Sequence, residues 1–166
     1  MVYLLAGLFI FLGVHSVRVF ADGWRNRLHD KLGMQTYQGL YSVLSLAGFV
    51  LIVWGFGMAR QTPVQLWVPP VGMRHLAALL TLLAFVLLAS AYVPGNMIKA
   101  RVHHPMVAGV KVWAFAHLLA NGNLAHVILF GSFLAWAVLL FIASRKRDRR
   151  NGSVYPAGQA GATGMA

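Results

Sequence analysis

Residues 102–123 read VHHPMVAGVKVWAFAHLLANGN, and this stretch decides the fold class. It opens with two histidines and Pro105, continues as an apolar run interrupted by one lysine and one histidine, and ends at an Asn-Gly-Asn turn. The run predicts a membrane-buried helix from Pro105 to about Ala120, which is short for a span of about 20 residues. A titratable side chain at that depth costs free energy and usually serves a function, so His117 is the first candidate site residue.

The rest of the chain has the composition of an integral membrane protein. Of 166 residues, 59% are hydrophobic and 10% are charged, and the mean hydropathy is +0.69, whereas a soluble domain carries about a quarter charged residues. The net charge is +11, but the cations lie in loops and near the C-terminus, which indicates topology and lipid headgroups rather than nucleic acid. The sequence contains no cysteine, which excludes disulfides, thiolate ligands and cysteine nucleophiles.

Four more apolar segments surround the opening stretch, and together they predict an all-α polytopic transmembrane bundle of about five spans. We expect a transmembrane domain over residues 1–147 and a disordered cytoplasmic tail over residues 148–166, because the tail is rich in glycine, alanine and small polar residues. Of the 14 lysines and arginines, 12 lie beside the predicted connections after spans one, three and five, which predicts a periplasmic N-terminus and a cytoplasmic C-terminus. The predicted spans are residues 2–20, 37–58, 71–93, 105–120 and 124–144, with a loop over residues 96–103.

Histidines are the side chains in this sequence that could bind a metal or carry out acid–base chemistry. The chain has seven histidines, three acidic residues and no glutamate, which excludes a carboxylate pair and makes a di-iron carboxylate site untenable. Neutral imidazole is a good ligand for haem iron, and His15 and His117 are the two histidines within spans that we assign as candidate metal ligands. The alternative for each is a polar side chain that bonds a neighbouring helix, and both interpretations remain open at this point.

Other polar residues lie close to these histidines in the sequence. Asn121 follows His117 by one helical turn and is predicted to orient its imidazole. His104 and Arg101, at the entrance of the same helix, are either solvated loop residues or ligands for haem propionates. His126 is a reserve ligand near the start of the fifth span.

Three stretches of the sequence resemble the NnrU family of bacterial membrane proteins. They are residues 13–16 (GVHS), residues 40–42 (LYS), and residues 104–109 (HPMVAG) running into residues 118–122 (LLANG). The resemblance spans about residues 1–147. It implies a multi-pass protein of the bacterial inner membrane with a link to denitrification, that is, to nitrite and nitric oxide reduction.

The same domain is similar to that of 15-cis-zeta-carotene isomerase, a membrane enzyme that uses haem b to isomerise a carotene double bond. Its haem is held by histidines in two motifs that resemble residues 14–16 and 116–118 here, so the resemblance implies haem b on His15 and His117. The isomerase has a cysteine three residues before the second histidine, where this chain has Ala114. A thiolate ligand switch is therefore excluded, and whether the protein is an enzyme stays open.

These features allow three kinds of function. The first is a haem protein for electron transfer, for sensing a small gas, or for isomerising a lipophilic polyene. The second is a non-enzymatic membrane accessory factor for denitrification enzymes, which needs no cofactor. The third is a membrane methyltransferase of the isoprenylcysteine type, because its Arg-His-Pro motif for S-adenosylmethionine is similar to residues 103–105 (HHP), with histidine in place of arginine.

Overall fold

The computed structural model describes residues 1–155 and 157–163, and for five of these residues it describes the backbone alone. They are Arg18, Asp22, Asn26, Ala160 and Gly161. Within this part of the chain all regular structure is helical, so the predicted all-α class is confirmed. The chain divides into two compact units, Met1–Val64 and Gln65–Ala166.

The first unit is a long helical hairpin with a short helix at its turn. Helix α1 packs along α3 through glycines, which allow two membrane helices to touch at their backbones. A Cβ atom added at Gly7 would lie 2.6 Å from the Ile52 nitrogen, and one added at Gly48 would lie 2.8 Å from the Phe11 nitrogen. This close approach places the backbone of α1 directly against that of α3. The helices are α1 (Val2–Phe20), α2 (Asp22–Leu32) and α3 (Met34–Ala59).

The second unit is built on three long helices, with α6 packed against both α4 and α7. Pro105 occupies the first turn of α6, where its missing N–H costs nothing. Gly109 lets α6 approach α4, since an added Cβ would lie 2.9 Å from the Ala84 carbonyl oxygen. The helices are α4 (Gly72–Tyr92), α5 (Met97–Val102), α6 (Pro105–Ala120), α7 (Leu124–Arg150) and α8 (Ala160–Thr163).

The helix boundaries agree with the sequence for α1 and α6, and the largest differences are at α5 and at the end of α7. The predicted loop over residues 96–103 contains α5, because the Asn96 side chain accepts a hydrogen bond from the Lys99 N–H and starts a helical turn. Helix α7 continues to Arg150, so the predicted domain boundary at residue 147 falls inside a helix. Disorder of residues 148–166 stays a prediction, and its residues 156 and 164–166 lie outside the described part.

Among the described residues, three helices are long and apolar enough to cross a membrane, namely α3, α4 and α7. Residues 2–17 of α1 and all of α6 form shorter apolar helices. At 16 residues, α6 is about 24 Å long. Helices long and apolar enough to span a membrane are thus present, as predicted, while the number of five spans stays a prediction.

Candidate functional site

His15 lies near the end of α1, on the side that faces α3. Its Nδ1–H donates to the main-chain carbonyl of Phe11, with an N–O distance of 2.7 Å. Its ring centroid lies 4.3 Å from that of Phe11 and 5.4 Å from that of Tyr41 on α3. Because a carbonyl oxygen can only accept, Nδ1 carries the proton and Nε2 of the neutral ring carries the lone pair.

A cavity of about 420 Å³ opens beside this imidazole, within the first unit. Its volume lies in the range of about 300–1,000 Å³ that is usual for small-molecule and cofactor sites. A smaller apolar cavity of about 130 Å³ shares Val14, Tyr37 and Tyr41 with it. The two cavities together offer one polar and one apolar region. The polar side chains of the larger one are His15, Arg25, Tyr37, Gln38, Tyr41 and Ser42.

His117 is held in the same manner in the second unit. Its Nδ1–H donates to the main-chain carbonyl of Trp113 at 2.8 Å. Its ring stacks on Phe130 of α7, with centroids 4.4 Å apart and planes inclined by 29°, and lies 5.1 Å from the Trp113 ring. The lone pair is again on Nε2.

The two histidines therefore share one local arrangement. Each follows an aromatic residue by four positions, donates Nδ1–H to that residue's carbonyl, and contacts an aromatic ring from the next packed helix. A hydrogen bond of this kind fixes the tautomer and raises the basicity of the ligating nitrogen. The sequence signal was present in the spacings Phe11–His15 and Trp113–His117, but only the structure shows that the carbonyls accept the bonds.

The donor set fits haem better than a bare metal ion. No group of three or more histidine, cysteine or acidic side chains that could hold a metal ion occurs in the part of the chain that the structure describes. Haem iron needs only one or two axial ligands from the protein. His15 and His117 each meet that requirement, and they lie in the first and the second unit, respectively.

Asn121 bonds the main chain near the end of α6. Its side-chain amide donates to the main-chain carbonyl of His117 at 2.8 Å. This contact is local, because Asn121 is the extended residue that ends α6 and its side chain reaches back to the last turn. The Trp113 carbonyl accepts the hydrogen bond of the ring itself, and an orienting role of Asn121 stays a prediction. Cofactor binding by Asn121 stays a prediction.

The turn after Asn121 is clamped by a loop from the same unit. The Gly122 carbonyl accepts hydrogen bonds from the Leu66 and Trp67 N–H groups, at 2.8 and 3.1 Å. Gln65 and Asn123 form a bridge beside these bonds. The clamp holds the turn that directly follows α6, which ends at Ala120, three residues after His117.

His104 forms a hydrogen bond with a carboxylate that the sequence did not predict. Its Nε2 lies 2.6 Å from Oδ2 of Asp148, and the Tyr155 hydroxyl donates to the same oxygen at 2.5 Å. Burial, and next the hydrogen bond to the carboxylate, raise the pKa of Tyr155 above its usual value, so the phenol keeps its proton at neutral pH. The imidazole of His104 is thus bonded to the Asp148 carboxylate. Arg101 is exposed on α5. Propionate binding by these two residues stays a prediction.

Two basic residues of the same unit, Arg145 and Lys111, also contact side chains of other helices or loops. Arg145 donates from Nη1 to Nδ1 of His103 at 2.8 Å. The Lys111 ammonium lies 3.7 Å from the Phe141 ring centroid, a cation–π contact within the apolar part of the unit. These pairs join residues that are far apart in the sequence. The sequence hints at them only through the single aspartate in the basic run RKRDRR at residues 145–150.

His126, the reserve ligand, lies at the start of α7. Its ring centroid is 6.2 Å from that of Phe130, the ring on which His117 stacks. His117 and His126 thus both contact the same phenylalanine. Metal ligation by His126 stays a prediction.

Comparison with known proteins gives a family match over almost the whole chain. A family model described as NnrU protein matches residues 3–166. The match extends past residue 147, where the sequence resemblance was expected to end. No curated protein and no solved structure matches the chain.

Proposed function

The chain belongs to the NnrU family, and from this premise we propose that it is an integral membrane protein that binds haem b through His15 and His117. The observation that carries the proposal is the shared arrangement of the two imidazoles. Each donates Nδ1–H to a carbonyl four residues earlier and so presents a basic Nε2.

The residues around each imidazole have separate tasks. The Phe11 and Trp113 carbonyls hold the ring orientation, and the aromatic contacts with Tyr41 and Phe130 limit ring rotation. Haem b, when bound, supplies one-electron redox chemistry and a site for small gases. We propose electron transfer or gas sensing in nitrite and nitric oxide metabolism. Polyene isomerisation of the cysteine-dependent kind does not fit, since the chain has no cysteine.

The proposed topology has five spans, with α1 and α6 as the short ones. It places the N-terminus in the periplasm and the C-terminus, with its basic cluster after the last span, in the cytoplasm of a bacterial inner membrane. The distribution of 12 of the 14 lysines and arginines supports this orientation.

An absorption spectrum of the detergent-purified protein tests the proposal. The wild type, oxidised and dithionite-reduced, should show a Soret band with sharp reduced α and β bands, and His15→Ala and His117→Ala should each lose the low-spin form. His75→Ala, on α4, is the matched control and should leave the spectrum unchanged. The haem-to-protein ratio gives the number of sites.

A colourless protein that also fails to take up added haem would refute the proposal. The two histidines would then serve as helix-packing groups, and the role of a membrane accessory factor without a cofactor would replace it. Loss of the spectrum in His126→Ala, but not in His117→Ala, would move the ligand in the second unit to His126.

A further inference from the structure

The cavity beside His15 contains a guanidinium. Arg25, on α2, lines this space together with the imidazole, and its guanidinium carbon lies 5.8 Å from the Tyr37 ring centroid. The Gln38 amide and the Tyr37 and Ser42 hydroxyls add further hydrogen-bond donors. None of the described lining residues is acidic. The described residues of the polar part therefore supply a guanidinium and several hydrogen-bond donors, which are the groups that bond an anionic group.

The adjoining cavity has the opposite character. It is lined by apolar side chains of α1, α2 and α3, among them Val17, Trp24, Leu28 and Leu40. A ligand that filled both spaces would have an apolar body and an acidic edge. Haem b has this form, since one edge of the macrocycle carries two carboxylates and the opposite edge carries hydrocarbon groups.

We propose that Arg25 binds a carboxylate of the ligand that His15 holds, which is a propionate if the ligand is haem b; this inference rests on the proposed function. A guanidinium stays charged at all relevant pH values and bonds a carboxylate through two parallel N–H groups. Arg25 thus selects the acid form of the ligand and sets which edge of the macrocycle faces α2. The sequence had pointed to His104 and Arg101 for this task, but His104 lies in the other unit and pairs with Asp148.

Arg27 offers a matched control on the same helix. It is exposed, its Nε donates to the Gly23 carbonyl at 3.4 Å, and it does not line the cavity. Residues two apart on a helix point to different sides. Removing Arg27 lowers the net charge of α2 by the same amount as removing Arg25, so a general charge effect would appear in both variants.

The experiment titrates wild type, Arg25→Ala, Arg25→Lys and Arg27→Ala with iron protoporphyrin IX and with its dimethyl ester, and follows the Soret band. We expect Arg25→Ala to weaken binding of the free acid by about tenfold or more, the usual effect of losing a hydrogen bond to a charged group. Binding of the ester should not change, Arg25→Lys should recover part of the affinity, and Arg27→Ala should bind both compounds like the wild type.

The two porphyrins separate the ways in which this inference can fail. Equal weakening of acid and ester in Arg25→Ala would show that Arg25 supports the fold of the cavity rather than a carboxylate. Unchanged binding of both would show that Arg25 does not contact the ligand. If the wild type binds neither compound, the proposed function itself is wrong, and the assignment of Arg25 fails with it.

Discussion

Substitution of Gly122 by alanine tests the clamp that ends α6. A Cβ atom at this position would lie 2.7 Å from the main-chain carbonyl carbon of Trp67 and 2.9 Å from Cγ of its indole. Gly122 does not adopt a positive φ, so alanine meets no backbone strain and the cost is steric. The loop of residues 65–67 must then move away from the turn.

The expected loss follows from the contacts that the movement breaks. The hydrogen bonds from Leu66 and Trp67 to the Gly122 carbonyl contribute about 0.5–1.5 kcal/mol each. Overpacking adds about 1–3 kcal/mol. Together these terms lower the free energy of unfolding by about 2–6 kcal/mol. For a chain of this length this corresponds to a fall in Tm of roughly 4–24 °C.

Thermal unfolding in detergent, followed by far-ultraviolet circular dichroism, measures the loss. Gly131→Ala is the control, because it lies within α7 of the same unit and an added Cβ would meet nothing within 4 Å. Alanine there should be neutral or stabilise the helix by up to about 1 kcal/mol. Equal Tm values for Gly122→Ala and Gly131→Ala would show that the loop does not clamp the turn.

Three further substitutions test other contacts. Gly7→Val forces side-chain atoms into the α3 backbone and should cost about 3 kcal/mol or more in chemical unfolding, whereas Gly13→Val, with nothing within 4 Å, should cost less than about 1 kcal/mol. Asn96→Ala removes the cap of α5 and a buried donor to the Ser90 carbonyl, which should cost about 2–4 kcal/mol. Tyr155→Phe keeps the ring and loses the bond to Asp148, so tryptic cleavage in the basic run should rise about tenfold.

Each of these expectations has an outcome that contradicts it. Similar stability of the two glycine variants would mean that α1 and α3 are not in backbone contact. An Asn96→Ala protein as stable as the wild type would mean that water replaces the lost donor. Rapid cleavage of the wild type itself, at the rate of Tyr155→Phe, would favour the predicted disorder of residues 148–166.

The location of α6 and of its histidine followed from local signals. Pro105 marks the first turn, Asn121 and Gly122 mark the end, and the apolar run between them leaves little choice of secondary structure. In contrast, α5 was missed because its six residues show no apolar period, and one side-chain bond from Asn96 starts it. The end of α7 was placed too early because arginine and lysine continue a helix after its apolar part.

The candidate site divides in the same way. His15 and His117 were identified from the cost of a titratable group among apolar residues. Arg25 was not identified, because it lies in the polar connection between two spans, where a cation is ordinary. Its place in the His15 cavity depends on how α2 packs beside α1 and α3.

The sequence by itself determined the all-helical class, the presence of helices apolar enough to cross a membrane and the limits of α6, because hydrophobic burial and backbone hydrogen bonding act over neighbouring residues. The tertiary structure decided the partners: the carbonyls that hold each imidazole, the pairing of His104 with Asp148, and the cavity that joins His15 to Arg25. These contacts depend on rotamers and on helix packing between residues distant in the chain, and no local pattern encodes such distances.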